Sequence, residues 1–372
     1  PHATAEPHAT AEPHLAAGPH PAVEPHAAAE PHADGAEPHA DGGGDGPAEE
    51  RAPEGWLTGD GMAIAMIAAG PPGGHFADAT VSLVAGGRYE IAVGTAEFGN
   101  GSTTVHVQLA ADELGTTPDR IAVRQSDTDV VGHDTGAFAS TGVVVAGQAV
   151  LRAARALRVA VLARAGGLTL ERDHVVRADG SRVSLAEVAA GGPVSGAGRW
   201  TGTPRSVAFN AQWFRVAIDP GTGELRILRS VHSADAGRVL NPLQCRGQVE
   251  GGVAQALGSA LTERMVLDEH GTVQTVGFRQ YHLPSFADVP RTEVVFADTD
   301  DAIGPLGAKS MSESPYNPVA PALANAVRDA TGIRFTELPL TRDRIWLALH
   351  HRETAHETAR ETEIGGGART RD

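Results

Sequence analysis

A Pro-His repeat opens the chain and limits where it can fold. Seven Pro-His pairs recur at a period of about six, from Pro1-His2 to Pro38-His39. Proline at that frequency excludes a continuous helix, and the intervening Ala, Glu and His bury too little apolar surface to offset the entropy of ordering the chain. We therefore expect residues 1–54 to be disordered. The tract can bind zinc, copper or nickel weakly, but its composition favours a slipped low-complexity repeat as its origin.

A polar, repetitive segment also closes the chain. Residues 350–372 read HHRETAHETARETEIGGGARTRD, and we expect them to form a disordered tail. The sequence between the two tails, residues 55–349, has the texture of a globular domain. The low aromatic content of the whole chain, 4%, is offset by Gly and Ala, so we expect close backbone approaches and packing of small residues.

Charge and composition exclude several classes of function. The net charge of −16 and the lack of a basic run argue against a nucleic-acid partner. A single cysteine, Cys245, excludes a disulfide framework and any iron–sulfur cluster held by this chain alone. No apolar stretch reaches transmembrane length and no signal peptide pattern is present. We expect a cytoplasmic protein without a membrane partner.

Strand and helix patterns are interspersed along the globular part, which predicts an α/β or α+β fold with two similar lobes. The segments that carry this pattern are strands at 88–97 and 120–126, helices at 103–114, 143–165 and 247–261, and a hairpin over 214–235 folded about Asp219-Pro220-Gly221. A further helix follows GPLGAKSMSESP, with Asn317 as a possible cap, Pro318 at its first position and Gly332 as its stop.

Three glycine-rich segments each precede a predicted helix. They are FGNGSTT (98–104), DTGAFASTG (134–142) and CRGQVEGG (245–252). Backbone N–H groups at a helix N-terminus, free of obstructing side chains, form a site for phosphate or another anion. A single such loop is usually structural, but three in one domain favour a long, multiply anionic ligand. No GxGxxG follows a strand with an acidic residue about twenty positions on, so a plain dinucleotide site is disfavoured.

Four ordered stretches resemble the large subunits of the molybdenum hydroxylase family, the xanthine dehydrogenases and aldehyde oxidoreductases. They are VGTAEFGNGSTTVHVQLAADELG, SDTDVVGHDTGAFASTGVVVAGQAV, VHSADAGRVLNPLQCRGQVEGGVAQALG and GPLGAKSMSESPYNPVAPALANAV. The resemblance covers the whole globular part and implies the C-terminal molybdopterin-binding domain of that subunit. In this family a Mo–OH group attacks an aldehyde or an N-heterocycle while hydride passes to Mo=S.

The resemblance also implies roles for individual residues. The family's cofactor-gripping Gly-Gln-Gly loop falls on Gly99, Asn100 and Gly101, where the shorter Asn puts a side-chain hydrogen bond in doubt. Ala139 and Ser140 match small residues laid against the molybdopterin. Gln248 matches a glutamine that contacts the pterin, and Glu313 matches the catalytic glutamate, a general base suited to deprotonating a metal-bound hydroxyl.

Other polar residues fit structural roles better. His106, His133 and His232 lie singly and far apart, and the family's molybdenum takes its sulfurs from the pterin, so no protein ligand to the metal is expected. Cys245 fits a small buried hydrophobe, and Asp235 and Asn241 fit turn and capping positions.

The family's large subunit is about twice as long as this chain, and its N-terminal loops are absent here. The resemblance therefore implies a partner that supplies the N-terminal half of the molybdenum subunit, with Fe–S and FAD on further subunits. The implied cofactor is molybdenum bound to molybdopterin, in the cytosine dinucleotide form. The alternative is a non-catalytic fragment or relic, a scaffold whose His-rich arm collects metal. The chemistry alone does not identify a substrate.

Overall fold

Two four-stranded sheets and the helices packed on them make up most of the structure, a computed structural model that describes residues 51–69, 74–201 and 205–351. The strands are β1 Leu57–Ala69, β2 Phe76–Val84, β3 Arg88–Val93, β4 Ile121–Gln125, β5 Gly167–Leu170, β6 His174–Arg177, β7 Arg182–Ser184, β8 Val194–Thr201, β9 Ser206–Ile218, β10 Leu225–Ala234 and β11 Thr292–Phe296. The helices are α1 Ser102–Leu114, α2 Gln148–Ala165, α3 Leu185–Ala190, α4 Pro242–Leu261, α5 Val319–Thr331 and a last helix, α6, over 342–351. The disorder predicted for residues 1–54 and 350–372 falls almost entirely outside the described residues.

The first lobe is a sheet with the strand order β4-β3-β2-β8, packed against α1 and α2. Strands β3 and β4 run parallel, and α1 forms the crossover that a parallel pair requires. Leu114 and Leu157 of the two helices are buried in one cluster with Val81 and Ile91 of the sheet. A π-helical stretch, Gly142–Gly147, leads directly into α2. This lobe therefore presents the N-terminal ends of two helices.

The second lobe is a sheet with the strand order β1-β9-β10-β11, packed on one face by α4 and α5. The predicted hairpin is confirmed, since β9 and β10 pair antiparallel and Gly223 N donates to Asp219 O in the connecting turn. Phe214 of β9 is buried with Leu257 of α4 and Leu323 of α5. The structure thus confirms an α/β fold in two lobes, each with its own apolar core.

Both lobes use glycine to bring a helix against an edge strand. A Cβ on Gly61 of β1 would lie 2.1 Å from Ala326 N of α5, and a Cβ on Gly198 of β8 would lie 2.1 Å from Ala149 O of α2. Contacts at that distance are excluded by sterics, so only glycine fits at these positions. The close backbone approaches expected from the Gly and Ala content are confirmed.

The outer face of the second sheet is apolar and open. Its exposed or half-exposed side chains are Met62, Ile64, Met66, Phe209, Trp213, Val231 and Val295. Ile64 is 65% exposed and Met62 56%, and they belong to a contiguous apolar patch, which on folded domains marks an interaction surface. No helix in the described part of the chain is long and apolar enough to cross a bilayer.

The boundaries of several helices were predicted correctly, because their stop signals are local. Gly115, Gly166 and Gly332 adopt the left-handed conformation directly after α1, α2 and α5. The start of α5 was predicted wrongly. Pro318 occupies the N-cap position, and no side chain caps the helix, so Asn317 has no capping role.

Candidate functional site

A cleft of about 930 Å³ brings together parts of the chain that lie far apart in sequence. Its walls are the start of α1, the loop before α2, one face of α4 and the loop before α5. The lining residues used below are Asn100, Gly101, Ser140, Arg238, Gln244, Cys245, Gln248, Lys309, Ser312 and Glu313. The convergence expected of the three glycine segments and Glu313 is therefore present in the structure.

The first segment is held by a carboxylate of its own chain. Glu97 Oε1 accepts from Gly99 N at 2.7 Å and Gly101 N at 3.0 Å, and Oε2 accepts from Thr103 N at 3.0 Å. Burial opposes the charge of Glu97, but these backbone bonds outweigh it and lower the pKa of the carboxyl. The N–H groups that the sequence suggested for an external anion are thus already paired. Sequence reasoning missed Glu97, although an acid directly before such a loop is a readable signal.

Of the three residues matched to the Gly-Gln-Gly loop, Asn100 and Gly101 line the cleft, whereas Gly99 is exposed outside it. Asn100 Oδ1 accepts from Ser102 N at 3.3 Å and Ser102 Oγ at 3.1 Å. The Asn side chain therefore supports the start of α1. The amide nitrogen of Asn100, Nδ2, has no hydrogen-bond partner among the described residues.

The second segment forms a left-handed turn at two consecutive residues. Ala139 and Ser140 have φ of 54° and 56°, a conformation that is costly for residues with a Cβ. Ser140 lines the cleft and is buried, with 4% of its surface exposed, whereas Ala139 lies behind the lining. The strained turn points Ser140 Oγ at the loop that carries Glu313.

Ser140 Oγ is the centre of three hydrogen bonds. It donates to Glu313 Oε2 at 2.9 Å. It accepts from Glu313 N at 3.0 Å and from Ser312 Oγ at 3.1 Å. Glu313 itself is exposed to the cleft, and its Oε1 has no hydrogen-bond partner among the described residues. One carboxylate oxygen is therefore fixed and the other is free.

The third segment corrects the sequence interpretation. CRGQVEGG lies inside α4, which begins at Pro242 under an Asn241 cap that accepts from Gln244 N at 3.1 Å. The helix starts five residues earlier than predicted, because Asn-Pro at the cap and first position outweighs the glycines that follow. Gln248 therefore projects from the side of a helix, and its Nε2 donates to Ser312 O at 2.9 Å.

One cationic side chain of the cleft has an acidic partner within the described residues and another has none. Lys309 Nζ is 2.9 Å from Asp235 Oδ2, and both side chains are largely buried. Burial opposes the charge of Asp235, yet the bond from Lys309 and those from Thr299, Gly237 and Phe209 lower the pKa of its carboxyl. Arg238 lines the same cleft and forms no ion pair within the described residues.

Gln244 adds an unusual acceptor to the cleft wall. Its Nε2 donates to Thr104 Oγ1 at 3.2 Å, while its Oε1 is buried beside Gly101 and has no partner in the part of the chain that the structure describes. A buried acceptor without a donor carries a free-energy cost unless a bound group supplies the donor. Neither Arg238 nor Gln244 was identified from the sequence.

The remaining candidates have structural surroundings. His106 is buried with Nε2 3.1 Å from Gly142 O, and burial lowers the pKa of its ring. His133 is exposed, and its ring stacks on that of Phe76. Cys245 is partly buried, and burial raises the pKa of its thiol to about 11. Within the part of the chain that the structure describes, no group of three or more His, Cys, Asp or Glu side chains could hold a metal ion.

Comparison with known proteins identifies the domain. Residues 41–290 match the family model of the molybdopterin cofactor-binding domain. The chain is 32% identical over 301 residues to the xanthine dehydrogenase molybdenum-binding subunit of Escherichia coli O157:H7, covering 75% of this chain and 40% of that subunit. It is 31% identical over 283 residues to the aldehyde oxidoreductase molybdenum-binding subunit of Escherichia coli (strain K12), covering 72% and 38%.

Solved structures support the same assignment. The crystal structure of quinoline 2-oxidoreductase from Pseudomonas putida 86 superposes with a TM-score of 0.73 at 26% identity, over 80% of this chain and 42% of that one. The chain thus spans about two fifths of the length of these relatives. On this evidence the chain belongs to the molybdopterin cofactor-binding domain family, of the type found in the molybdenum-binding subunits of xanthine dehydrogenases and aldehyde oxidoreductases.

Proposed function

We propose that this chain is the molybdopterin-binding part of a molybdenum hydroxylase that oxidises aldehydes or N-heterocycles. The observation that carries the proposal is the meeting of Glu313, Gln248, Ser140 and the Asn100–Gly101 turn in one cleft. The matched family range ends at residue 290, so the role of Glu313 rests on this geometry and on the sequence resemblance.

The residues of the cleft suit an anionic pterin. Arg238, which forms no ion pair within residues 51–69, 74–201 and 205–351, offers a cation for a phosphate. The buried Gln244 Oε1 offers an acceptor for an amino group, and Gln248 offers a side-chain amide. Gly101 and Asn100 leave backbone accessible beside them. The proposal includes the cytosine dinucleotide form, which release of CMP on acid treatment of the purified complex would test.

Within this proposal Glu313 holds and moves a proton. When bound, the molybdenum cofactor supplies the oxidising centre for hydroxylation of the substrate. Glu313 Oε2 is engaged by Ser140, so the proton released during hydroxylation passes to the unpaired Oε1. Gln248 supports the same loop by binding Ser312 O, which keeps the carboxylate turned toward the cleft.

The open apolar face of the second sheet is an argument for a partner subunit. A surface of this character on a chain that spans two fifths of its relatives is expected to be covered by further protein. We propose that the N-terminal half of the molybdenum subunit covers it, and that Fe–S and FAD subunits carry the electrons away, since one cysteine cannot hold a cluster. The proposal also places the protein in the cytoplasm, a reducing compartment that suits this cysteine usage.

Co-expression with the neighbouring coding sequences tests the proposal. We expect molybdenum near one atom per chain and oxidation of an aldehyde or N-heterocycle panel, with turnover lost in Glu313→Gln. The matched control is Glu250→Gln, an exposed glutamate of α4 outside the cleft lining, which should retain activity. A correctly assembled complex without molybdenum would instead support the non-catalytic relic.

A further inference from the structure

A row of buried polar side chains crosses the inner face of the second sheet. Asn210 and Gln212 belong to β9, Ser230 and His232 to β10, and Thr292 to β11, and none is more than 5% exposed. The inner face of a sheet packed on helices is ordinarily apolar. We call these five residues the polar row.

The members of the polar row contact one another. His232 Nδ1 is 2.8 Å from Gln212 Oε1, and His232 Nε2 is 3.1 Å from Asn210 Oδ1. A neutral ring carries one N–H, so it donates to one of these two oxygens at a time. Gln212 Nε2 donates to Ser230 Oγ at 3.0 Å, and Ser230 Oγ lies 2.9 Å from Thr292 Oγ1. The row is therefore a continuous series of polar contacts with Thr292 at one end and Asn210 at the other.

The Asn210 end leaves the sheet and reaches the loop that carries Glu313. Asn210 Nδ2 donates to Ser314 Oγ, and Ser314 is fully buried. Ser314 Oγ donates in turn to Met311 O at 2.9 Å, and Ser314 N donates to the same carbonyl at 3.0 Å. Asn210 thus holds the turn of residues 311–314 at Ser314, whereas Ser140 holds it at Ser312 and Glu313.

Stability alone gives little reason for such a row. Burying polar groups costs free energy even when they are paired, and an apolar replacement of matching shape is often neutral or stabilising. A buried hydrogen-bond network instead specifies one arrangement of the groups it joins. Here the group at its end is the residue directly after Glu313, within residues 309–318, which form no helix or strand.

We propose that Asn210 is a positioning residue for Glu313. Its bond to Ser314 ties the loop to strand β9, so that the Glu313 carboxylate stays beside Ser140 and faces the cleft. The effect of this positioning on catalysis rests on the proposed function, but the effect on the loop does not.

The test compares the two amides of the row. Asn210→Ala removes the link to the loop, whereas Gln212→Ala removes an equally buried amide that makes no hydrogen bond to the loop. Hydrogen exchange of the full chain should show at least tenfold faster exchange in the peptide spanning residues 311–317 for Asn210→Ala, and less than twofold change for Gln212→Ala. Comparable exchange in both variants, or protection retained in Asn210→Ala, would overturn the proposal.

Two serine variants provide a milder test if Asn210→Ala or Gln212→Ala fails to fold. Ser314→Ala and Ser230→Ala each remove one fully buried hydroxyl that accepts from an amide of β9. Only Ser314→Ala should release the loop, and adding Asn210→Ala to it should produce no further increase in exchange. An increase from Ser230→Ala equal to that from Ser314→Ala would contradict the proposal.

Kinetics of the assembled complex then separate the two proposals. Asn210→Ala should lower kcat at least tenfold with KM changed less than twofold, and Gln212→Ala should change neither by more than twofold. If Glu313→Gln retains turnover, the proposed function fails while the exchange experiment still decides the positioning role. If Glu313→Gln is inactive and Asn210→Ala has full kcat, positioning by Asn210 is wrong and the function stands.

Discussion

Ser140 donates a hydrogen bond of 2.9 Å to the carboxylate of Glu313, across 173 positions of the sequence. The serine comes from the loop before α2 in the first lobe, and the glutamate from the loop before α5 in the second. The resemblance assigned Ser140 to the cofactor, but all three of its observed bonds go to the Glu313 loop.

Ser140→Ala distinguishes these two roles. If Ser140 positions Glu313, the variant should keep its molybdenum and lose at least tenfold in kcat, because a hydrogen bond to a charged group contributes roughly 1.5 kcal/mol or more. Metal content and steady-state kinetics of the complex check this. The double variant with Glu313→Gln should be no slower than Glu313→Gln alone, and loss of molybdenum in Ser140→Ala would restore the cofactor role.

Replacing Glu97 should destabilise the start of α1. Glu97→Ala leaves the N–H groups of Gly99, Gly101 and Thr103 without their acceptor, and we expect the free energy of unfolding to fall by about 2 kcal/mol. Denaturant titration at neutral pH measures this. Glu97→Gln keeps an acceptor oxygen and should lose less than half as much, so equal losses in the two variants would argue against the capping role.

The buried ring of His232 should make stability depend on pH. Burial lowers the pKa of His232 from 6.5 to about 4, so the unfolded chain takes up this proton before the folded protein does. The stability that the neutral ring contributes is fully present above pH 6.5 and is lost as the pH falls toward 4, by about 2 kcal/mol between pH 7.5 and pH 5.

Denaturant titrations at those two pH values check this dependence. The His232→Gln variant should lose about 2 kcal/mol less than the wild type on acidification, by the same linkage. His133→Gln removes an exposed histidine and serves as the control, which should follow the wild type. An identical pH dependence for His232→Gln and wild type would show that the ring is not buried neutral.

A methyl group on Gly61 should disrupt the packing of β1 on α5. The added Cβ would lie 2.1 Å from Ala326 N, so the helix must move away, and we expect a loss of about 3 kcal/mol or more in unfolding free energy. The control is Gly247→Ala in α4, where a Cβ meets no atom within 4 Å. That substitution should stabilise the helix by roughly 0.5–1 kcal/mol. Thermal or denaturant unfolding of both variants measures the contrast, and a neutral Gly61→Ala would contradict the packing.

The sequence alone determined what depends on neighbouring residues. The helix ends at Gly115 and Gly332 and the turn at Asp219 follow from backbone preferences of a few adjacent residues, and the order of the motifs identified the family. Even the start of α4 had a local signal in Asn241 and Pro242, which the glycines after it obscured.

Only the tertiary structure decided which residues meet. The bond from Ser140 to Glu313, the link from Asn210 to Ser314 and the packing of α5 on β1 join positions more than a hundred residues apart. Such contacts depend on how the two lobes bring their loops together, and no local preference of the chain specifies them. The glycines and Glu313 were visible in the sequence, whereas the groups that hold the Glu313 carboxylate in place were visible only in the fold.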